Sequence, residues 1–364
     1  MLGLMQDWPL RVSSIIDHAA KYHAGRAVIS RSVEGPVTRT TWGQVRTRAL
    51  KLAQALARLG VKPGEVVGCM AWNTSRHMEV WYGVPGAGAV LHSLNPRLSR
   101  EQLVYIINHA GDRWLFCDLD LVPILEALAA DLPQVRGYVV MTDRAHMPET
   151  SLPDALCYEE IVGSEAGDAP WVEVDERTAC GICYTSGTTG EPKGAVYSHR
   201  SNVIHAMVMI QPDMLGLSCT DVLMPVVPMF HANGWSTAFT APMAGSGMVL
   251  PGRRLDPASL YEMLGHAVTI TAAVPTIWLM LLSHLRDNGL TLPDLNRVVI
   301  GGSSCPRAVI ESFQNDYGVR VLHAWGMTET SPLGTLCSFK PEIAALPADE
   351  RLEAQLKVGH PPFT

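Results

Sequence analysis

The sequence predicts an α/β protein of two packed lobes, each with a largely parallel sheet covered by helices. Strand and helix patterns alternate along the chain, which is typical of parallel sheets that bind ligands at the carboxyl ends of their strands. The 364 residues are 47% hydrophobic and 17% charged, a composition that can bury a sizeable core. A polar stretch rich in Pro, Asp and Glu, from Thr142 to Asp175, interrupts the alternation. We therefore predict a first lobe at residues 1–175 and a second at 176–330.

In the first lobe, the helix that begins near Thr41 has the clearest pattern. Thr41 and Gln44 form a capping box before an apolar-periodic run over 45–59, and Gly60 follows as a stop signal. Further helices are predicted from a Ser99 cap to Asn108 and over 122–132. Buried strands are predicted over 66–71, 113–117 and 137–141.

In the second lobe, the same alternation resumes after Val172. Asp256 caps a helix over 258–264 with Pro257 at its first position, and Pro275 opens another helix. Strands are predicted over 181–184, 222–226, 248–250, 269–273, 297–300 and 320–323. Residues 331–364 contain no clear helix or strand pattern.

The charge balance and the apolar segments exclude several classes of protein. The net charge is -7 and no run of five Lys or Arg occurs, so the basic surface of a nucleic-acid binder is missing. The most apolar window, 267–282, is shorter than the roughly 20 residues of a membrane span. Residues 1–10 lack the positive charge that begins a secretory signal. We therefore expect a cytoplasmic protein without a membrane span.

The cysteines and glycines fit packing better than metal or redox chemistry. Most of the eight cysteines lie in apolar segments, as reduced core thiols do. Cys180 and Cys183 have the spacing of a redox or zinc pair, but no second pair matches them, so we interpret them as core strand residues. The glycine cluster over 83–88 lacks the spacing of a dinucleotide-binding motif and favours tight helix packing. Neither a Gly-x-Ser-x-Gly elbow nor a His-Glu-x-x-His helix occurs, so no motif in the sequence supports a hydrolase or a zinc protease.

The most informative segment covers residues 184–194 and reads YTSGTTGEPKG. It follows a predicted strand and precedes a helical pattern from about Ser198. Glycines and small hydroxylated residues permit tight turns that aim N–H and hydroxyl groups at one point, and Lys193 adds a positive charge. The pattern indicates a polyphosphate-binding loop, with a flexible surface loop as the alternative. It is not a Walker A loop, because Lys193 follows Gly190 by three residues.

This segment resembles the phosphate loop of the AMP-forming adenylating enzymes, the superfamily that includes the acyl-CoA synthetases. Three further segments resemble family motifs in the family's order: PMFHANGW at 228–235 the acyl-pocket segment, GGSSCP at 301–306 the adenine-side loop, and WGMTE at 325–329 the aromatic-Gly-x-Thr-Glu motif. The resemblance covers essentially the whole chain. It implies that a carboxylate attacks the α-phosphate of ATP to give an acyl-adenylate and pyrophosphate, and that the acyl group then passes to CoA.

The resemblance also implies roles for individual residues. Triphosphate binding falls to Thr185, Ser186, Gly187, Thr188, Thr189, Gly190 and Lys193. The adenine and α-phosphate side comprises Gly302, Ser303, His323, Ala324, Trp325, Gly326, Met327 and Thr328. Thr185 and Glu329 would hold Mg²⁺ through the hard oxygen ligands it prefers, although Glu329 also fits a surface carboxylate. Trp325 stands where the family usually has tyrosine, and His323 is equally well explained as a core histidine.

His231 and Trp235 are implied to line the acyl pocket. With Lys193, Thr328 and Glu329, His231 makes up the expected catalytic set, and it would orient the attacking oxygen. In the fatty-acyl branch, a tryptophan at the position of Trp235 gates an apolar tunnel; filling of the core is the alternative. We therefore favour a medium- or long-chain fatty acid. Similar segments in ligases for 3-methylmercaptopropionate leave that short thioether acid open.

Family members continue beyond these motifs into a mobile C-terminal lid domain with a catalytic lysine. Residues 331–364 would begin a small β-rich subdomain, and no residue of this chain can be assigned to the lid. We therefore expect slow adenylation by these residues alone, and a non-catalytic module that binds ATP or acyl groups is the alternative. The sequence also leaves a homodimer open.

Overall fold

The computed structural model describes residue 1, residues 3–185 and residues 190–363. The strands are β1 (Ala27–Arg31), β2 (Val37–Thr41), β3 (Val66–Met70), β4 (Val90–Ser93), β5 (Asp112–Cys117), β6 (Gly137–Val140), β7 (Leu156–Cys157), β8 (Ala179–Thr185), β9 (Lys193–Ser198), β10 (Val222–Pro225), β11 (Gly247–Leu250), β12 (Ile270–Ala273), β13 (Arg297–Ile300), β14 (Arg320–Gly326) and β15 (Leu333–Leu336). The α-helices are α1 (Ser13–Tyr22), α2 (Trp42–Arg58), α3 (Ser75–Gly86), α4 (Arg100–Ala110), α5 (Val122–Leu128), α6 (Tyr158–Gly163), α7 (His199–Met209), α8 (Thr237–Ala244), α9 (Pro257–Leu264), α10 (Pro275–Asp287), α11 (Arg307–Glu311), α12 (Pro341–Ala344) and α13 (Ala348–Leu356).

The strands form two sheets that confirm the predicted α/β class. One has seven strands in the order β7-β6-β5-β3-β4-β8-β9, and the other has eight in the order β15-β14-β13-β12-β10-β11-β1-β2. The pairs β1–β2, β8–β9 and β14–β15 are antiparallel. The remaining neighbours are parallel, so the sheets are largely parallel, as expected.

Sheet membership crosses the predicted boundary between residues 175 and 176 in both directions. The early hairpin β1–β2 joins the eight-stranded sheet through β11, and the later hairpin β8–β9 joins the seven-stranded sheet through β4. Polar composition marks a surface connection but does not determine which strands pair. The phosphate-loop segment therefore joins two strands of the first sheet, and the other three motifs lie on the second sheet.

The predicted capping residues begin their helices, but the capping box predicted for Thr41 and Gln44 is only half formed, because the Gln44 side chain accepts a hydrogen bond from Thr40 instead. The Thr41 hydroxyl accepts the N–H of Gln44 at the start of α2. Ser99 and Gln102 form a complete capping box at the start of α4. The helix predicted over 122–132 is shorter, because α5 ends at Leu128 and continues as a 3-10 turn over Ala129–Asp131.

Helices fill three layers around the two sheets. Buried residues of α1, α2, α3, α7 and α8 form the largest cluster, with residues from both sheets on either side of it. Helices α4 and α5 cover the outer face of the first sheet, and α9, α10 and α11 cover the outer face of the second. A Cβ atom at Gly83 would lie 2.7 Å from Cδ2 of Leu52 in α2, so this glycine of the cluster serves tight helix packing, whereas Gly86 packs against Trp171.

Three other predictions can be compared with the structure. Cys180 and Cys183 are buried in β8, where burial raises the pKa of both thiols. Residues 331–363, where the sequence has no clear pattern, contain β15, α12 and α13. No helix in the described part of the chain is long and apolar enough to cross a membrane.

Candidate active site

The candidate site lies at the carboxyl edge of the eight-stranded sheet, where loops leave β10, β12, β13 and β14. This is where ligands bind in open α/β sheets. A cavity of about 200 Å³ opens there. Eight predicted site residues line it: His231, Trp235, Gly302, Ala324, Trp325, Gly326, Met327 and Thr328. Three motifs that are far apart in sequence therefore meet at one cavity.

The phosphate-loop segment connects β8 to β9 as a hairpin. Thr185, the last residue of β8, pairs with Lys193, the first residue of β9, and β8 contacts the turn Thr328–Thr330 beside the cavity. Lys193 and Gly190 are exposed, and Gly190 has a φ of 130°, a conformation that favours glycine. The predicted triphosphate ligands Ser186, Gly187, Thr188 and Thr189 lie outside the described residues.

A hydrogen bond connects this hairpin to the WGMTE motif. The Tyr197 hydroxyl, on β9, donates to the backbone oxygen of Thr328 at 2.6 Å. Thr328 is buried, and Glu329 next to it is exposed in the 3-10 turn Thr328–Thr330. The hairpin is therefore tied directly to the turn that carries the predicted magnesium ligand Glu329.

Two exposed residues on the adenine side, Gly302 and Trp325, form an open surface that we call the shelf. Gly302 has a φ of 82° and is exposed at the start of the loop that follows β13. The Trp325 side chain is 44% exposed and lies over Gly334, where a Cβ atom would be 2.6 Å from Cζ3 of the indole. An exposed aromatic face beside a glycine backbone can stack on a planar ring. Gly326 is exposed, but the backbone of Pro332 passes so close that a Cβ atom at Gly326 would lie 2.1 Å from the Pro332 oxygen.

Two predicted residues on this side do not line the cavity. His323 is buried within β14, and its Nδ1–H donates to the backbone oxygen of Gln355 in α13 at 3.0 Å. This contact matches the alternative of a core histidine. Ser303 is exposed beyond Gly302. The structure therefore brings Gly302 and residues 324–328 to the cavity, without His323 and Ser303.

His231 stands at the mouth of the cavity. Desolvation lowers the pKa of its imidazole, and the positive charge of Arg97 lowers it further. The ring is therefore mostly neutral near pH 7, with one N–H that can donate to an oxygen. A neutral donor at this place can orient a carboxylate without neutralising it.

Trp235 belongs to a left-handed turn over Ala232–Ser236, in which every residue has a positive φ between 46° and 61°. The indole reaches the adenine-side loop: a Cβ atom at Gly301 would lie 3.2 Å from Cη2 of Trp235. The half-buried ring therefore lines the cavity beside the adenine-side loop. Both the gate and the packing alternatives are compatible with this position.

Sequence reasoning missed the apolar wall of the cavity. The missed lining residues are Met209, Leu215, Leu223, Ala272, Val299 and Leu333. They come from α7, the loop after it, three strands of the second sheet and β15, and no local motif marks them.

The fold and this site define a class of protein, and comparison with known proteins agrees with it. Residues 16–364 match the AMP-binding enzyme family, and the chain belongs to that family. It is 44% identical over all its residues to a medium-chain-fatty-acid–CoA ligase of Ectopseudomonas oleovorans and spans 67% of that protein. It is 45% identical to a 3-methylmercaptopropionyl-CoA ligase of Ruegeria pomeroyi, of which it spans 68%.

Solved structures show the same fold. A long-chain-fatty-acid-CoA ligase from Archaeoglobus fulgidus matches with a TM-score of 0.83 at 22% identity, over 100% of this chain and 71% of the other. An anthranilate CoA ligase in complex with anthranoyl-AMP matches with a TM-score of 0.82 at 21% identity, over 92% of this chain and 64% of the other. The chain thus has the fold found in the N-terminal part of adenylate-forming ligases.

Proposed function

We propose that this protein activates a carboxylic acid with ATP and transfers the acyl group to CoA. One observation carries the proposal: a single cavity is lined both by aliphatic side chains and by the shelf of Gly302 and Trp325, with His231 and Trp235 also in its lining. An acyl group in the cavity and an adenosine on the shelf would meet beside His231. The bond between carboxylate and α-phosphate forms at such a junction, where positioning supplies much of the rate.

The chain's own residues then have distinct tasks in the proposed reaction. Lys193 neutralises negative charge on the phosphates, and the N–H of His231 orients the carboxylate oxygen that attacks. Thr328 lies in the cavity wall and contacts the α-phosphate. These tasks are positioning and charge neutralisation, which dominate catalysis of phosphoryl-type transfer.

Magnesium fits the remaining residues as a metal held jointly with the nucleotide. Thr185 and Glu329 would supply a hydroxyl and a carboxylate, both hard oxygen ligands. Among the described residues, no group of three or more His, Cys, Asp or Glu could hold a metal ion by itself. Phosphate oxygens and water would therefore complete the coordination, as is usual for Mg²⁺. When bound, the ion neutralises phosphate charge.

For the substrate, we propose a medium- or long-chain fatty acid. Aliphatic side chains dominate the inner wall of the cavity, and nothing charged among the described residues lines it. A second candidate is 3-methylmercaptopropionate, favoured by Met209 in the cavity wall, since a thioether packs well against another polarizable sulfur. A cytoplasmic location and a homodimer stay predictions from the sequence.

Acid-dependent exchange of pyrophosphate into ATP tests this function. The purified protein is given MgATP, labelled pyrophosphate and one acid at a time, from acetate to palmitate, with 3-methylmercaptopropionate included. Exchange that depends on the acid supports an activating enzyme, and the acid with the highest rate identifies the substrate class. ATP binding without exchange for any acid would instead support the non-catalytic module.

A further inference from the structure

The left-handed turn Ala232–Ser236 needs an external restraint. Four of its five residues are not glycine, and each non-glycine residue in this conformation costs roughly 1–2 kcal/mol. Such a conformation persists only where surrounding contacts fix it. The turn carries Trp235 and directly follows His231, so whatever fixes it also positions these two side chains.

A buried pair of amides supplies one restraint. Asn233 is 1% exposed, and its Nδ2 donates to Oδ1 of Asn202 in α7 at 2.8 Å. Asn202 is itself 1% exposed, and its Nδ2 donates to Sγ of Cys180 in β8 at 3.2 Å. A buried amide that loses its partner is unfavourable. The turn is therefore fastened through α7 to the strand that begins the phosphate hairpin.

One turn further along α7, His205 restrains the opposite wall. Its Nε2 accepts the backbone N–H of Leu333 at 3.1 Å, and both Leu333 and the preceding Pro332 line the cavity. Met209 on the same helix lines the cavity directly. Because residues three and four apart share a helix face, one face of α7 holds both walls.

We propose that Asn202 and His205 are positioning residues that determine which acyl chains the cavity accepts, although neither contributes to its lining. They fix the separation between the Trp235 turn and the Pro332–Leu333 segment by fastening both to α7. This inference rests on the proposed function, because it concerns the acyl end of the same site.

Asn233→Gly isolates the amide pair. Glycine adopts a positive φ without strain, so this variant removes the hydrogen bond while keeping the backbone of the turn accessible. Asn233→Ala removes the bond and retains the backbone strain. Asn296→Gly is the matched control, because Asn296 is exposed next to the amino end of β13, at the far edge of the sheet.

The measurement is binding of two stable acyl-adenylate mimics, acetyl- and octanoyl-sulfamoyl adenosine, with MgATP binding as a reference. We expect Asn233→Gly to change the ratio of the two mimic affinities about fivefold, which corresponds to the net free energy of one neutral hydrogen bond. The MgATP affinity should stay within about twofold of wild type. Asn202→Ala removes the same bond to Asn233 together with the bond to Cys180. It should therefore change the ratio at least as much, and the double variant should add little to Asn202→Ala alone.

Variants of His205 test the same proposal independently if the asparagine variants do not fold. Glutamine can accept the Leu333 N–H through Oε1, so His205→Gln should keep the affinity ratio, and His205→Leu should shift it. Equal weakening of both mimics, or no change in their ratio in folded variants, would overturn the positioning role. Failure of wild-type protein to bind either mimic would instead contradict the proposed function.

Discussion

The phosphate hairpin and the acyl cavity meet at one site but are built in opposite ways. The tip of the hairpin is a contiguous segment in which Gly190 and Lys193 are exposed and Thr185 is half-buried. The cavity wall is assembled from α7, the left-handed turn and strands of the second sheet. The tip lies outside the core, whereas the cavity-wall residues Met209, Leu215 and Leu223 belong to the largest hydrophobic cluster. On the roles proposed for these residues, changes at the hairpin tip should alter nucleotide binding without affecting folding, whereas changes in the cavity wall should affect both acyl selection and folding.

Lys193→Ala should give the largest effect on ligand binding and should separate MgATP affinity from protein stability. Loss of charge-assisted hydrogen bonds to phosphate costs about 1.5–3 kcal/mol, so MgATP affinity should fall roughly 10- to 100-fold. The melting temperature should stay that of wild type, because Lys193 is exposed at a strand end. Isothermal titration with a parallel thermal melt checks both quantities. Lys21→Ala, another exposed lysine, is the control, and unchanged ATP affinity in the Lys193 variant would remove that residue from the phosphate site.

Trp235→Ala should show the opposite, coupled behaviour. Because the indole is only partly buried, we expect a stability loss below the roughly 3–5 kcal/mol of a fully buried tryptophan. Opening the wall should also let acids longer than about eight carbons bind the nucleotide-free protein more tightly, with acetate unaffected. Urea unfolding and fatty-acid binding with and without ATP measure both. A large stability loss with no chain-length dependence would favour core packing over a gate.

The pH dependence of His205→Gln tests whether the cavity wall is part of the folding core. Burial lowers the pKa of His205 to about 4. Between pH 6.5, the usual pKa of an unfolded histidine, and pH 4, the unfolded protein binds a proton at His205 and the folded protein does not. The folded state therefore loses stability relative to the unfolded state as the pH falls through this range. Glutamine does not titrate, so the stability of wild type relative to the variant should drop by about 2 kcal/mol between pH 7 and 4.5. A constant difference across this range would mean that His205 is not held neutral by burial.

Gly301→Ala should give the smallest effect on binding. It tests the contact between the adenine-side loop and Trp235 of the acyl cavity. Its Cβ would lie 3.2 Å from Cη2 of Trp235 and 3.0 Å from the oxygen of Ala324, so the indole must shift slightly. We expect affinity for octanoyl-sulfamoyl adenosine to fall by about threefold, consistent with mild overpacking. Gly25→Ala, where nothing lies within 4 Å of the new atom, should match wild type. Unchanged binding in Gly301→Ala would show that Trp235 does not depend on this glycine.

The same contrast explains which features the sequence could predict. Local signals such as the Thr41 and Ser99 caps, the Pro275 helix start and the strand–loop pattern around 184–194 depend on neighbours in the chain, and the structure contains them. Sheet order and the apolar cavity wall depend on contacts between distant segments. The sequence therefore predicted neither the sheet that the β1–β2 hairpin joins nor the role that we propose for Asn202. The hydrogen bond between Asn202 and Asn233 joins residues that have no shared motif.

The most direct test is the affinity of the protein for octanoyl-sulfamoyl adenosine compared with AMP and octanoate measured separately. If cavity and shelf hold the two halves of one acyl-adenylate, covalent linkage removes the entropy of binding two molecules. We predict that the linked compound binds with a stoichiometry of about one and at least roughly 100-fold more tightly than either half. An affinity no better than that of AMP would contradict a shared acyl and nucleotide site.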